Sequence, residues 1–363
     1  MKKITAVLLV LTLLLSGCAC SKKPAATEPT TVPTTAPTEP TTAPTVAPTT
    51  APTEAPQAYR HPLTGELLAQ PWSGKLAAVM VNNIKQSMPQ HGLSQADIIY
   101  EIEEESSITR NMAIFSDVSK VGTIGSIRST RTYFVSVAAA YDAYLVHCGT
   151  SVHARGGGYD AEGNKIAEWK DIDQQSSKFA SAFYRDQDRK NAGYALEHTL
   201  FTTGEELSGV MTDLAQSNPS PVFGFKEGID LGGETAGEIT IKFKGSKTTS
   251  FTYDAATGRY ARSQHGGASI DGSNEQAETV KNVIAIYTEQ WYCPQGHGHQ
   301  YYDTIGAGEG YAATNGKIVP IKWSRATVDA PFVYTLADGS PLELDVGNSY
   351  IAVVGTKYPI EYK

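Results

Sequence analysis

The sequence predicts a two-domain α+β protein on a tether: an N-terminal α/β-type mixed-sheet domain, residues 59–220, then a mainly antiparallel β-rich domain, residues 221–363. Three observations carry this. About 305 residues follow a low-complexity stretch, and two domains are the natural expectation for that length. Up to Ser217 apolar runs alternate with helical patterns, the rhythm of strand, helix and strand. From Val222 onward helical patterns are scarce, and short alternating runs are divided by turn residues, as in a small barrel or sandwich.

The chain starts with an export signal, residues 1–17. Lys2 and Lys3 precede an apolar run from Ile4 to Leu15 that ends Leu15-Ser16-Gly17-Cys18. A charged start, a short apolar core and small residues before the cut site define a secretory signal. The core is shorter than the roughly 20 apolar residues a spanning helix needs. The Leu-Ser-Gly-Cys ending resembles the bacterial lipobox, which makes Cys18 the candidate lipidation site. The expected address is therefore the extracytoplasmic face of the cell membrane, held by a lipid anchor.

Residues 18–58 read as a stalk. They are mostly Thr, Pro, Ala and Glu, and nine of the nineteen prolines lie there. Such a stretch has too little apolar surface to offset its ordering entropy. Regular prolines favour polyproline II at about 3.1 Å per residue, a reach on the order of 100 Å.

In the N-terminal half, Leu76–Val81, Asp97–Ile102, Asn111–Phe115 and Ala143–His147 read as strands, and Thr132–Tyr141 as a helix. Thr203 is the expected N-cap of a second helix reaching Gln216, with Glu206 at the capping-box position. In the C-terminal half, Glu238–Phe243, Ser250–Tyr253 and Val280–Tyr287 read as strands. Asp254–Gly258 is a hairpin turn into Arg259–Arg262, and Asn315-Gly316 is a strong hairpin signal before Ile318–Trp323. Val333–Leu336 and Leu342–Leu344 flank Asp338-Gly339 as a further hairpin, Gly306–Gly310 reads as a turn or bulge, and Tyr350–Val354 as the closing strand.

The formal charge of −8 falls by two, to −10, once Lys2 and Lys3 leave with the signal. A mildly acidic body argues against nucleic acid as a partner and against broad adsorption to anionic surfaces. An anion it binds must meet a local basic site. Cys148 and Cys293 are either two separate thiols or one bridge between the halves; export permits either.

Gly122–Arg131 is the leading candidate for chemistry. Two glycines precede a helix, whose N-terminus carries unpaired amides and partial positive charge. Ser126 and Ser129 add hydroxyls; Arg128 and Arg131 add guanidinium forks suited to phosphate or carboxylate. The alternative is structural: Ser129 caps the helix while the arginines pair with the acidic strand Glu101–Glu105. In that strand Glu101, Glu103 and Glu105 would share one face, with Arg110, Arg128 and Arg131 as the nearest cations. Glu101 and Glu105 with His147 also form a candidate acid–base set, against a solvated strand face and a structural histidine. His153 and Arg155 follow His147 in a Gly-rich loop. Arg185 and His198 add polar groups of the same types. Cys293, His297 and His299, with Asp303, invite a metal reading, but the spacing matches no standard zinc pattern. No Gly-x-Ser-x-Gly, His-Glu-x-x-His or Walker motif is present, and no cofactor is expected.

Long motifs resemble those of the YerB-like bacterial lipoproteins: Met88–Glu101, Ser107–Arg110, Gly125–Arg131, Phe183–Asp186, Lys281–Ile284 and Gly306–Gly310. The resemblance covers nearly everything after the stalk. It implies an exported lipoprotein with two adjoining domains of unknown function and brings no established catalytic residue. Relatives tend to carry Pro-His-Asn where this chain has Glu197-His198-Thr199, and the Cys293–His299 insertion is peculiar to this chain.

The functional expectation is a surface-anchored module that binds an anionic envelope ligand, for example a peptidoglycan fragment. Arg110, Arg128, Arg131, Arg185, Ser126, Ser129 and His198 form the candidate ligand set. One rival is a cell-wall glycan or peptide hydrolase using Glu101 or Glu105 with His147. The other is an envelope-protein scaffold that presents the C-terminal β domain.

Overall fold

Apolar runs buried on both faces place the central strands. The computed structural model describes residues 59–154, 169–292 and 298–363. The signal, Cys18, the stalk, Arg155, Cys293 and His297 lie outside the described residues. The principal strands and helices, in chain order, are β1 (Ala77–Asn82), β2 (Ile98–Glu103), β3 (Thr109–Phe115), α1 (Thr132–Ala140), β4 (Tyr144–His147), β5 (Asp171–Asp173), α2 (Gln187–Asn191), α3 (Gly204–Met211), β6 (Glu238–Lys242), β7 (Thr248–Asp254), β8 (Arg259–Gln264), β9 (Asn282–Thr288), β10 (Gly306–Thr314), β11 (Lys317–Arg325), β12 (Ser349–Gly355) and β13 (Ile360–Tyr362).

One mixed eleven-stranded sheet runs through both halves of the chain, in the order β11-β10-β9-β12-β2-β3-β1-β4-β5 across its main strands. The C-terminal strand β12 lies parallel to both β9 and the N-terminal β2. The expected separate small barrel is therefore not formed, because β9 to β12 extend the N-terminal sheet. The remaining C-terminal strands β6, β7, β8 and β13 make an antiparallel sheet of their own. The molecule is mostly β, with mixed and antiparallel sheets; its described α-helices have nine, five and eight residues.

Alternation sorts side chains between the two faces of the large sheet. Ala78, Met80, Ile98, Tyr100 and Ile102 pack with α1 residues such as Phe134 and Val137. Ala77, Val79, Val81 and Ile99 pack with Ile239, Ile241, Phe251 and Tyr260 of the second sheet. Glu101 and Glu103 share that second face and are fully buried, so the solvated strand face does not exist. Covering both faces is what makes the run Ile98–Ile102 nearly continuously apolar.

The Thr203 cap forms: its Oγ1 accepts from Glu206 N at 3.2 Å. The helix stops at Met211 rather than Gln216, where Lys75 Nζ captures the Thr212 carbonyl at 2.9 Å. Asn315 and Gly316, both at positive φ, turn β10 into β11 as expected. Gly306–Gly310 is the start of β10 rather than a turn. Glycine is required there by close approach: a Cβ on Gly310 would stand 2.3 Å from the Ala285 carbonyl oxygen. The hairpin at Leu336–Ser340 forms, with Thr335 bridging Pro341 and Leu342 N donating to Tyr334 O, and its second arm runs on at Glu343–Leu344 in parallel with Gly224–Phe225. β12 does not close the chain, because β13 follows and pairs with β6.

Candidate functional site

β1 and β4 are parallel and pair from Ala77–Val79 to Tyr144–Val146. Beyond Val79 they part, and the segment Ser126–Thr130 fills the opening. Ile127 bridges Val81 and Thr130 bridges Thr150. Arg128 N donates to Met80 O, and Cys148 N donates to Arg128 O, each at 3.1 Å. The segment thus crosses the carboxyl ends of two parallel strands, the edge at which open α/β sheets hold ligands.

The candidate side chains around it divide into two groups. On one side Arg110 and Arg131 are buried against carboxylates. Arg110 Nη1 lies 2.5 Å from Glu104 Oε1 and also donates to the Ser129 carbonyl. Arg131 pairs with Glu105 through both Nη2 and Nε, lies 3.8 Å from Glu104, and donates to Ser129 Oγ at 3.1 Å. Burial lowers the Arg110 guanidinium to about 10 against the pull of Glu104. Burial also acts on Arg131, but Glu104 and Glu105 outweigh it and hold its pKa above the usual arginine value. Burial pushes the Glu104 carboxyl up in spite of Arg110 and Arg131. Ser129 does not cap α1: the cap position is Arg131, and no side chain closes it.

On the other side stand Arg128, Arg185 and His198. Arg128 keeps 25% of its side chain exposed, and its nearest carboxylate is Glu197, 3.9 Å away and itself 56% exposed. Arg185 Nη1 donates to Leu196 O at 2.6 Å. His198 Nδ1 lies 3.0 Å from Asn82 Nδ2, and burial lowers its pKa. Ser126 is buried with its Oγ unpartnered. The fold therefore brings all seven ligand candidates to one sheet edge, split between an arginine–carboxylate lattice and a more open basic rim. Four guanidiniums face three carboxylates across the two groups.

The proposed acid–base set is not assembled. β3 and β1 separate β2 from β4 in the sheet, which puts Glu101 and His147 roughly 14 Å apart at about 4.8 Å per strand. Glu101 accepts from Asn83, Thr109, Thr249, Arg262 and Tyr350, with Lys247 Nζ at 3.2 Å. Burial pushes its pKa up, yet Lys247 and Arg262, with the Thr109 and Tyr350 hydroxyls, hold it far below the usual carboxylate range. A group this firmly ionised is a poor proton donor. His147 is held by Asp171 at 2.6 Å and the Gly149 carbonyl at 2.9 Å, and stacks on Trp169. Glu105 belongs to Arg131. Sequence reading missed Lys247, Thr249, Arg262, Glu278 and Tyr350 as partners of Glu101 and its neighbours. The one available signal was a pair of acidic residues, Glu101 and Glu103, inside an otherwise apolar strand.

Cys148 is a free, half-buried thiol whose Sγ donates to Gln174 Oε1 at 3.2 Å, and burial raises its pKa. Of the metal candidates, His299 and Asp303 lie inside the described residues; His299 sits edge-on to His153 with ring centres 5.8 Å apart, and Asp303 Oδ1 accepts from Ile305 N at 3.0 Å. No helix among the described residues is long and apolar enough to cross a membrane.

Two family models match the body of the chain. The N-terminal domain described as "Protein of unknown function (DUF3048)" matches residues 63–217, and the C-terminal domain of the same family matches residues 239–351. The chain belongs to the DUF3048 family. "Putative lipoprotein YerB" of Bacillus subtilis (strain 168) is 24% identical over 304 residues, covering 81% of this chain and 85% of the relative. The crystal structure of YerB protein from Bacillus subtilis superposes with a TM-score of 0.68 at 23% identity, covering 83% of this chain and 99% of that one. The fold is thus shared with YerB. The DUF3048 windows place Ser126–Arg131 in the N-terminal domain and Lys247 and Arg262 in the C-terminal domain.

Proposed function

We propose that this DUF3048 protein is a lipid-anchored binding module of the extracytoplasmic membrane face that takes an anionic cell-envelope ligand at Arg128. The Leu15–Cys18 lipobox resemblance and the name of the Bacillus relative support the anchor. One observation carries the ligand reading. Arg128 pairs loosely, 3.9 Å from the solvated Glu197 carboxylate, and both it and Arg185 act electrostatically on Cys148 at the carboxyl ends of β1 and β4. Arg128 and Arg185 are the clamp, with His198 and Ser126 behind them. Arg110 and Arg131 shape the segment through Glu104 and Glu105 and contribute the surrounding positive field. A phosphate or carboxylate suits this geometry, and a peptidoglycan fragment offers carboxylates within the expected compartment. The matched windows also support reading the body as two domains, 59–220 and 221–363, that share one sheet.

The test is calorimetric titration of muropeptides and of inorganic phosphate into wild type and Arg128→Ala. Binding by wild type that Arg128→Ala loses supports the reading. Equal affinity in a folded Arg128→Ala variant sinks it. The hydrolase reading has less support, since Glu101 and His147 are each consumed by other partners.

A further inference from the structure

A second concavity lies away from Arg128, where the turn Met88–Gln90 meets the end of β8 and the return from Ala268 to Glu278. Its volume is 320 Å³, at the small end of the range for small-molecule sites, about 300–1,000 Å³. One wall comes from the N-terminal half and the other from the C-terminal half. Met88, Pro89 and Ile270 are its apolar surface, and Ile270 is exposed.

The polar groups of this pocket fall into two kinds. The two amides satisfy one another and their neighbours. Gln264 Nε2 donates to Gln90 Oε1 at 2.9 Å, and Gln264 Oε1 accepts from Lys247 at 2.7 Å. Gln90 Nε2 donates to Asn82 O and Asn83 Oδ1, each at 2.8 Å. The other three groups keep unused capacity. Glu278 is 2% exposed; its Oε2 accepts from Arg262 at 2.9 Å, while Oε1 has no donor. Ser269 is 6% exposed and its Oγ is unpartnered. His265 Nε2 is also buried and unpartnered.

Buried polar atoms without partners are uncommon and costly, and each calls for an explanation. Three beside one small pocket have a shared chemical explanation. All three can accept a hydrogen bond, the imidazole through Nε2 when Nδ1 holds the proton. Arg262 is divided between Glu278 and Glu101, so it neutralises Glu278 only in part. Lys247 shares Glu101 with Arg262 behind the pocket, and among the lining residues Glu278 is the one carboxylate, with Oε1 left open as an acceptor. An anion would be repelled by Glu278. A sugar hydroxyl would bring an acceptor with every donor. A primary ammonium has three donors, no acceptor and a positive charge.

We propose that this pocket binds a small primary amine on a short apolar stem. The ammonium meets Glu278, Ser269 and His265, and the stem lies against Met88, Pro89 and Ile270. The site is separate from Arg128 and selects the opposite charge, so either site can fail without the other.

The probe is n-pentylamine, titrated calorimetrically into the full-length protein in detergent, with pentan-1-ol and pentanoate as controls. The expected result is saturable binding of pentylamine and of neither control. Glu278→Gln should weaken it by at least about tenfold, the loss that follows removal of one partner from a desolvated charge pair. Ser269→Ala removes a hydroxyl that makes no internal bond, so it should fold normally and bind several-fold more weakly. Arg128→Ala should bind pentylamine as wild type does. Absence of saturable pentylamine binding overturns the proposal, and so does equal binding of pentan-1-ol. If Glu278→Gln does not fold, Ser269→Ala decides alone: unchanged amine affinity there rejects the site.

Discussion

Arg262 Nη2 donates to Glu101 Oε2 at 2.6 Å, joining residues 161 positions apart. Glu101 stands on the eleven-stranded sheet and Arg262 on the antiparallel sheet packed against it. One lies in each matched domain of the family. The ion pair is fully buried, and two further partners of Glu101 reach it across the layers, Thr249 on β7 and Lys247 just before it. Glu101 is thus a tie between domains.

Breaking this tie from one side should be severe. Removing one partner of a buried pair leaves an uncompensated charge and costs about 3–5 kcal/mol. Arg262→Ala should show that loss in urea denaturation. A loss under about 1 kcal/mol, the size of a surface bridge, would contradict the structural role.

The same pair sets a pH dependence. The Glu101 carboxyl is held below its ordinary value of 4.5 in the folded protein. A depressed carboxylate stabilises the fold fully above its unfolded pKa, and the contribution is lost as pH falls through the folded value. The stability difference between wild type and Glu101→Gln should therefore be constant from neutral pH down to about 5, the upper edge of a carboxylate's titration. It should shrink on further acidification. A difference that grew toward acid would reverse the sign and refute the assignment. Buried Glu104, whose carboxyl is raised, titrates in both proteins and cancels in the comparison.

Arg128 and Arg131 should separate function from stability. Arg128 is partly exposed with a distant, solvated partner, so Arg128→Ala should cost no more than about 1 kcal/mol. Arg131 is buried between Glu104 and Glu105, and Arg131→Ala should cost about 3–5 kcal/mol. The double variant then tests folding rather than binding, and Arg128→Ala alone is the informative change. Thermal melts of the two single variants check this; equal midpoints would show that the two groups are not distinct.

Gly310→Ala should destabilise although it adds one methyl. The new carbon would press on the Ala285 carbonyl at 2.3 Å, at the last pair of the β9–β10 register, Ile286 opposite Gly310. Overpacking of this kind costs about 1–3 kcal/mol. A wild-type melting midpoint for Gly310→Ala would refute the close approach.

Local patterns were readable where a neighbour along the chain decides them. The strands β1 to β4, helix α1, the Thr203 cap and the Asn315-Gly316 turn follow from apolar periodicity, a single side-chain oxygen and two residues tolerant of positive φ. The family was readable because long motifs such as Met88–Glu101 resemble those of its members. Gly306–Gly310 was misread because glycine marks a turn in most contexts, whereas here it marks a crowded strand. Nothing local distinguishes the two.

The sequence by itself determined the alternation of elements, the family, and which residues carry charge near Ser126–Arg131. Tertiary structure alone decided which of those charges are spent. Arg128 and Arg131 are three positions apart on one extended segment, yet one reaches solvated Glu197 and the other buried Glu104 and Glu105. Glu101 resembled a catalytic acid until Lys247 and Arg262 arrived from more than a hundred residues away. The reason is physical: periodicity records which side of a strand is buried, but a charge's partner is set by the sheet that closes over it.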